Sequence, residues 1–262
     1  MDIFNTINVK YKFLFLLLFP FFSNSQQESF LANYRLQMSL INPAYAGAEA
    51  ENMIALTSRN QWVSLENSPK TQVMTFSSER GKNVGLGLSF IANNFFVERN
   101  TASYVDFSYK LNFTNESALY LGLKAGATFY KENLLGLTSS SLSIDPAQGL
   151  FSRVNPNLGI GMLIQSPVFW FSFSVPRLFN SGGNSEFSIT STDRVHTYFG
   201  SGVNLKMNDS FFLKPSILIR TVSDLNTTAD FLALVSYKNT FDLGASYRTN
   251  NSLGLISYFS LK

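Results

Sequence analysis

The sequence predicts a transmembrane antiparallel β-barrel, and three observations lead to that fold class. Apolar and polar residues alternate with period two in about 12 segments after residue 53. Many segments run to about 10 residues, the length of a tilted membrane strand, whereas soluble strands average about 5–6. Short and long connections alternate along the chain, as in outer-membrane barrels, which have short periplasmic turns and longer external loops.

Composition is consistent with a membrane protein and excludes several kinds of site. Charged residues make up 14% of the 262 residues and aromatic residues 15%, against roughly 25% charged residues in soluble domains. The absence of Cys excludes disulfides, a thiol nucleophile and a thiolate metal site. The net charge of +3 comes without a basic stripe, so we expect no nucleic-acid partner. No residue pattern calls for a cofactor.

The N-terminus predicts an exported chain. Lys10 and Lys12 precede the apolar run FLFLLLFPFF, which has signal-peptide length and is short for a membrane span. The tripeptide SNS supplies small residues for cleavage between Ser25 and Gln26. We therefore expect a signal peptide over residues 1–25, an N-terminal periplasmic or plug segment over 26–52, and the barrel over 53–262.

The clearest strand is SALYLGLKAGATFY, which alternates an apolar face with a face of Tyr, Gly, Lys and Thr. The predicted strands span residues 53–62, 70–80, 83–94, 101–113, 117–130, 156–165, 167–176, 194–206, 210–221, 228–238, 240–249 and 252–262. The predicted long connections are 63–69, 95–100, 131–155, 177–193 and 222–227. The polar faces predict a lumen whose inward charges are either paired and solvated or joined in a network, at Asp106, Lys110, Lys124, His196, Lys206, Lys214, Arg220, Asp242 and Arg248.

Three features fit this pattern less well. Pro215 lies inside a predicted strand and cannot donate to a ladder, so we expect a bulge or a broken pairing there. The connection at Asn250 and Asn251 is external by parity yet short. The sequence ends on Lys262, where a barrel usually ends on an aromatic residue.

Two motifs resemble those of a known family. QMSLINPAYAG carries an N-P-A-x-x-G pattern, and SRNQWVSLENSPKTQ carries R-x-Q-W followed by P-x-T. Together with LKPSILIR and LGASYR further along the chain, they resemble the PorP/SprF family over residues ~30 to 262. These are outer-membrane proteins of the type IX secretion and gliding machinery of Bacteroidetes.

The resemblance implies a FadL-like barrel of fourteen strands and a role without catalysis. Family members continue past the GASYR hairpin with about two more strands, so the resemblance implies that this chain is truncated at its C-terminus. Such proteins assist the secretion or surface attachment of cargo, often large adhesins. The expected partners are adhesin-like cargo, other type IX secretion components and outer-membrane lipid.

The family motifs supply the candidate partner-binding residues. They are Asn42, Pro43, Ala44, Tyr45, Gly47, Arg59, Gln61 and Trp62. For NPAYAG the alternatives are a periplasmic contact or lumen plug and a turn that seats the N-terminus on the first strands. For the second motif, barrel architecture is the alternative, with Trp62 in the interfacial aromatic girdle and Arg59 paired in the lumen.

Two other functions remain open at this point. A FadL-like channel for small hydrophobic molecules would need an apolar lumen, whereas the predicted lumen faces are polar. An outer-membrane hydrolase would rely on His196, the single His, but no recognisable Ser motif accompanies it. We therefore expect a non-enzymatic outer-membrane protein.

Overall fold

A computed structural model describes most of the chain after the predicted leader. The described residues are 31–49, 52–65, 67–81, 83–114, 116–133, 149–179, 195–222, 226–249 and 252–259. The predicted signal peptide, residues 134–148 and 180–193 of two predicted long loops, the connection at Asn250 and Asn251, and Lys262 lie outside the described residues.

All described strands belong to one antiparallel sheet. The strands are β1 (Met53–Asn60), β2 (Lys70–Glu79), β3 (Val84–Phe95), β4 (Glu98–Asn112), β5 (Ala118–Asn133), β6 (Leu150–Gln165), β7 (Phe169–Arg177), β8 (His196–Val203), β9 (Leu205–Lys206), β10 (Phe211–Val222), β11 (Thr228–Tyr237), β12 (Phe241–Arg248) and β13 (Ser252–Phe259). Each strand pairs with its neighbour in sequence, except that β10 pairs with β8 and β9 on the same edge. Within the described residues, no ladder joins β1 to β13.

The all-β antiparallel prediction is confirmed, and each of the predicted strands is present. The predicted strand 194–206 is divided into β8 and β9, which brings the number to 13. Pro215 lies at the division, because β10 pairs with β9 through Leu213 and with β8 from Ser216 onward. Opposite this gap Asn204 donates its backbone N–H to the Val168 carbonyl at 2.6 Å. The expected broken pairing at the proline is confirmed.

Two predicted long connections are wrong in extent. The connection predicted at 95–100 is a two-residue turn, because Phe95 pairs directly with Glu98. It closes with Phe96 in a left-handed conformation at φ 52°, which a Phe residue adopts uncommonly and no local sequence signal predicts. The connection predicted at 131–155 is shortened at both ends, since β5 continues to Asn133 and β6 begins at Leu150.

Burial on the two faces of the sheet is the reverse of that in a soluble protein, because polar side chains are buried and apolar ones are exposed. On β4, Tyr104, Asp106 and Ser108 are buried, whereas the alternating Val105 and Phe107 are 52% and 41% exposed. The same exposure of Leu, Phe and Tyr recurs along β3, β5, β6, β11 and β12. Such an apolar outer face suits contact with lipid. Among the described helices, none is long and apolar enough to cross a membrane.

The sheet curves around the described N-terminal residues, 34–49, here called the N-terminal segment. The segment consists of short helical turns, including Met38–Ile41 and Pro43–Tyr45. It contacts side chains of strands as far apart in the sheet as β1, β7 and β10. The concave side of the sheet, called the lumen below, is therefore filled by the chain's own N-terminus.

Candidate functional site

The NPAYAG motif forms a capped turn because of its residue types. Pro43 has a fixed φ and no N–H, so it suits the first position of the Pro43–Tyr45 helical turn. Asn42 precedes it in an extended conformation, and its Oδ1 accepts a hydrogen bond from the Ala44 N–H at 2.9 Å. This is the capping geometry that Asn favours.

The other half of the Asn42 carboxamide anchors the turn to the barrel wall. Its Nδ2 donates to the Met162 carbonyl at 2.9 Å and to Ser172 Oγ at 2.8 Å. Asn42 is fully buried, so these bonds satisfy a carboxamide that would otherwise be costly to remove from water. Asn42 thus joins the N-terminal segment to β6 and β7.

Glycines on separate strands form the platform on which the turn lies. A Cβ on Gly122 would come 2.2 Å from the Ala44 nitrogen, and a Cβ on Gly161 would come 1.9 Å from Asn42 Oδ1. A Cβ on Gly85 would come 1.9 Å from the Ala46 carbonyl oxygen. Any side chain at these positions would displace the segment, because real Cβ atoms do not approach so closely. Gly85, Gly122 and Gly161 therefore act as docking surfaces for the segment.

Gly47 ends the motif in a conformation that only glycine adopts without strain. Its φ is +68°, and an added Cβ would come 2.7 Å from the Gly85 Cα. The Gly47 N–H donates to Ser77 Oγ at 2.7 Å. Immediately before it, the Ala46 carbonyl accepts a hydrogen bond from Ser108 Oγ. The motif is thereby fastened to β2, β3 and β4 as well.

A buried ion pair supports the segment from below. Lys124 Nζ lies 2.7 Å from Asp106 Oδ1, and both side chains are nearly excluded from solvent. The same Nζ donates to the Ser39 carbonyl at 3.0 Å. Ser174 Oγ donates to the carbonyl of Ile41, the last residue of the helix, at 2.7 Å. Lumen side chains therefore satisfy carbonyls that the four-residue helix leaves without partners.

Two contacts, each involving one aromatic side chain, hold the start of the N-terminal segment. Tyr34 Oη lies 2.9 Å from Ser216 Oγ of β10, and the Arg35 guanidinium lies over the Trp170 ring at 5.6 Å from its centroid. Burial raises the pKa of Tyr34 to about 12, against 10.0 for an ordinary tyrosine. Burial likewise raises the pKa of Tyr45. The neutral phenols favour the docked state of the segment.

Other lumen charges are paired, as the sequence indicated. Arg248 Nη2 donates to Asp230 Oδ2 at 3.1 Å, and Lys214 Nζ lies 3.5 Å from Asp242 Oδ2. Lys206 differs, because its partner Asp209 belongs to an exposed turn. His196 is buried, and its Nδ1 lies 3.4 Å from Tyr198 Oη. In the described part of the chain, no group of His, Asp and Glu has an arrangement suited to a metal ion.

The structure separates the candidate residues into two groups. Asn42, Pro43, Ala44, Tyr45 and Gly47 lie together on the glycine platform in the lumen. The second group is Arg59, Gln61 and Trp62, which follow at the far end of β1. Most of β1 separates the groups, since Arg59 lies six residues beyond Met53 at the start of the strand, which corresponds to about 20 Å at 3.3 Å per residue.

The second group leads from the lumen to the rim of the sheet. Arg59 and Gln61 are partly buried, and Arg59 lies close enough to Arg248 for their charges to interact. Trp62 is 64% exposed in the β1–β2 connection and has a left-handed φ of 49°. Its neighbours Val63 and Leu65 are 83% and 62% exposed. The tip of this connection is therefore apolar and open.

Residues that anchor the motif were not among the candidates from sequence. They are Gly85, Gly122, Gly161, Ser77, Ser108, Ser172 and Ser174. Their only sequence signal was that Gly and Ser occupy positions on the polar faces of strands where larger side chains would be expected. That signal indicates close approach of another backbone but does not identify it.

Comparison with known proteins identifies a family. The family model described as "Type IX secretion system membrane protein PorP/SprF" matches residues 23–262. No curated protein and no solved structure matches the chain.

Proposed function

The chain belongs to the PorP/SprF family of type IX secretion system membrane proteins, and from this premise we propose that it is a non-catalytic accessory component that binds cargo. In this role it assists the secretion or surface attachment of cargo such as large adhesins. It acts from the outer membrane, together with other type IX components. Two features of the described residues support the proposal, one at the rim and one in the lumen.

The feature that carries the proposal is an apolar patch at the rim, here called the rim patch. It comprises Trp62, Val63, Leu65, Phe95 and Phe96. The two connections that form it are joined, because the Phe96 N–H donates to the Asn67 carbonyl at 3.1 Å. Trp62, Asn67 and Phe96 all have left-handed φ values, an unusual arrangement for two bulky aromatic residues.

The rim patch lies beyond the paired part of the strands. The last β1–β2 pair is Asn60 with Lys70, and Gln61 adds one backbone bond to Pro69 at 3.0 Å. The outward-facing residues at this level include Lys70 and Arg99, which mark the edge of the apolar outer face. Large exposed apolar residues that lie outside a lipid-facing band and close to one another are typical of protein interaction sites.

The lumen argues against the FadL-like channel as the function. The N-terminal segment occupies the concave side, and its contacts extend over β1, β2, β4, β6, β7 and β10. The inward side chains that surround it are both apolar, as at Leu163, Trp170 and Leu218, and polar, as at Ser77, Ser108 and Ser172, and the polar ones hydrogen-bond to the segment. A small hydrophobic molecule would have to displace this whole set of polar contacts.

The test is secretion and crosslinking with rim variants in a strain that depends on this chain. Trp62→Ala with Val63→Ser is expected to lower surface display of the cargo at least about tenfold and to remove its crosslink, since a central aromatic anchor commonly contributes 2 kcal/mol or more. Phe113→Ser is the matched control, because Phe113 is 62% exposed at the opposite rim.

Normal cargo display and crosslinking in the Trp62 and Val63 variant would contradict the proposal. The fluorescence of Trp62 in a Trp170→Phe background distinguishes a role in the lipid-facing aromatic girdle from a role in partner binding. Quenching by brominated lipid alone would place Trp62 in the bilayer, and quenching by aqueous iodide would leave it open to a partner.

A further inference from the structure

A row of outward-facing polar residues crosses six strands in register. Its members are Asn60, Lys70, Asn94, Arg99, Lys131 and Ser152, each paired with the next. Three of the six are basic and none is acidic. The nearby acidic residues Glu98 and Glu132 pair with each other one position away, so they face the lumen side.

The basic residues are close together and unneutralised. Arg99 pairs with Lys131, and Lys70 is two strands from Arg99, so neighbouring backbones lie about 5 and 10 Å apart. All three side chains are exposed, and among the described residues none has an ion pair with an acid. Like charges directly opposite one another in a sheet repel. A bound anion would relieve this repulsion.

An apolar groove begins directly beneath the row on the same face. Its volume is about 480 Å³, within the range of small-ligand sites. The first level beneath the row contains the small residues Ser58, Ala92 and Thr101 together with Gln72, and the next level contains Leu56, Met74 and Phe90. The small side chains leave the depression, and the larger ones form its lower wall.

The outer face below the row carries no charge on β1–β6. On β4 and β5 it runs from Thr101 paired with Phe129 to Leu111 paired with Leu119. Ten residues along a strand tilted by about 40° correspond to a band about 25 Å tall, the height of a lipid-facing band. The row therefore lies at the level of lipid headgroups and the groove at the level of acyl chains.

We propose that the row and the groove together bind one anionic, phosphate-bearing membrane lipid. Arg99 and Lys131 hold the phosphate, Lys70 adds charge, and an acyl chain lies in the groove between Leu56 and Phe90. Guanidinium and ammonium groups favour phosphate oxygens, and Arg does so with two parallel hydrogen bonds. A soluble anion would use the row but leave the groove empty.

Native mass spectrometry of the purified chain tests the proposal with phosphatidylglycerol and phosphatidylcholine as probes. The unmodified chain is expected to retain one phosphatidylglycerol with at least about tenfold preference, the effect of one charge-assisted hydrogen bond. Arg99→Gln with Lys131→Gln removes the preference. Arg80→Gln with Lys238→Gln removes the same charge at exposed turn residues elsewhere and is expected to keep the preference.

A second pair of variants tests the groove without changing charge. Ala92→Phe fills the depression and is expected to lower phosphatidylglycerol retention about tenfold, whereas Ala245→Phe on the outer face of β12 leaves it unchanged. Folding of every variant is checked by heat-modifiable mobility. Equal retention in Ala92→Phe, equal loss in both charge variants, or displacement of the lipid by equimolar inorganic phosphate would overturn the proposal.

Discussion

The carboxamide of Asn42 rests directly on the backbone of Gly161, so closely that a Cβ on Gly161 would come 1.9 Å from Asn42 Oδ1. The two residues are far apart in the sequence, yet each explains the other. Asn42 needs a partner surface with no side chain, and a glycine inside a strand is otherwise unfavourable. Docking of the N-terminal segment therefore requires a glycine at position 161 of β6.

Replacing Gly161 with Ala is therefore expected to release the N-terminal segment. The new methyl group cannot coexist with the Asn42 carboxamide, so we expect a loss of about 1–3 kcal/mol, as for other overpacked sites. Because the chain has no Cys, a Tyr45→Cys reporter can be labelled selectively. Labelling with a maleimide should be slow in the parent and at least about fivefold faster with Gly161→Ala.

Gly149→Ala is the matched control for this experiment. A Cβ on Gly149 would meet only the Phe151 ring at 3.4 Å, an ordinary contact. Labelling of Tyr45→Cys should be unchanged in that background. Slow labelling in the Gly161→Ala variant would show that the segment does not depend on the close approach.

The ion pair between Lys124 and Asp106 predicts strong coupling between two buried charges. Lys124→Met leaves the Asp106 carboxylate without its partner, which typically costs about 3–5 kcal/mol at a buried site. Lys124→Met with Asp106→Leu should recover most of that loss, because no uncompensated charge remains. The measurement is urea unfolding of the reconstituted protein, analysed as a double-mutant cycle.

The pair of Lys206 with Asp209 serves as the comparison for that cycle. Their side chains are 60% and 98% exposed, so water and salt screen the attraction. Lys206→Met should leave the unfolding midpoint nearly unchanged. Additive effects at Lys124 and Asp106 would contradict the coupling.

Pro215 predicts a stabilising substitution. The ladder between β10 and β8 or β9 is interrupted next to this residue, while its pairing with β11 through Ala233 is continuous. Pro215→Val would supply the missing N–H and raise the free energy of unfolding by about 1 kcal/mol. Pro156→Val should give no such gain, since β6 pairs with β7 only from Ile160 onward. An unchanged midpoint for Pro215→Val would contradict this account.

Strands were predictable from sequence because alternation is a local signal. The segment 117–130 corresponds to Ala118–Asn133, with the end moved by three residues. The extension carries Lys131 and Glu132, which were predicted to lie in a loop but lie at the polar edge of the outer face and in the lumen. Charge at a strand end therefore does not distinguish a membrane boundary from a connection.

The docking of NPAYAG was predictable only as one of several alternatives. Its anchors Gly85, Gly122 and Gly161 lie on three strands, and each one indicates locally no more than a tight contact. Their convergence depends on the register of the whole sheet. The tight turn at Phe96 was not predictable either, because its left-handed backbone is imposed by the pairing of Phe95 with Glu98.

The raised pKa of Tyr34 predicts that the N-terminal segment loosens in alkali. The pKa of an unfolded tyrosine is 10.0, whereas burial raises the pKa of Tyr34 to about 12. Its stabilising contribution is therefore complete below pH 10 and is lost as pH rises to 12, by about 2–3 kcal/mol for a shift of this size. The readout is the fluorescence of Trp170, which Arg35 covers, in a Trp62→Phe background with no other Trp.

We expect the Trp170 emission to shift to longer wavelength between pH 10 and 12, because release of the segment exposes the ring to water. Tyr34→Phe is the control, since it keeps the ring in place but cannot ionise and loses only the hydrogen bond to Ser216. In that variant the shift should move to higher pH or disappear. The same midpoint in both proteins would assign the transition to another group and remove Tyr34 as the cause.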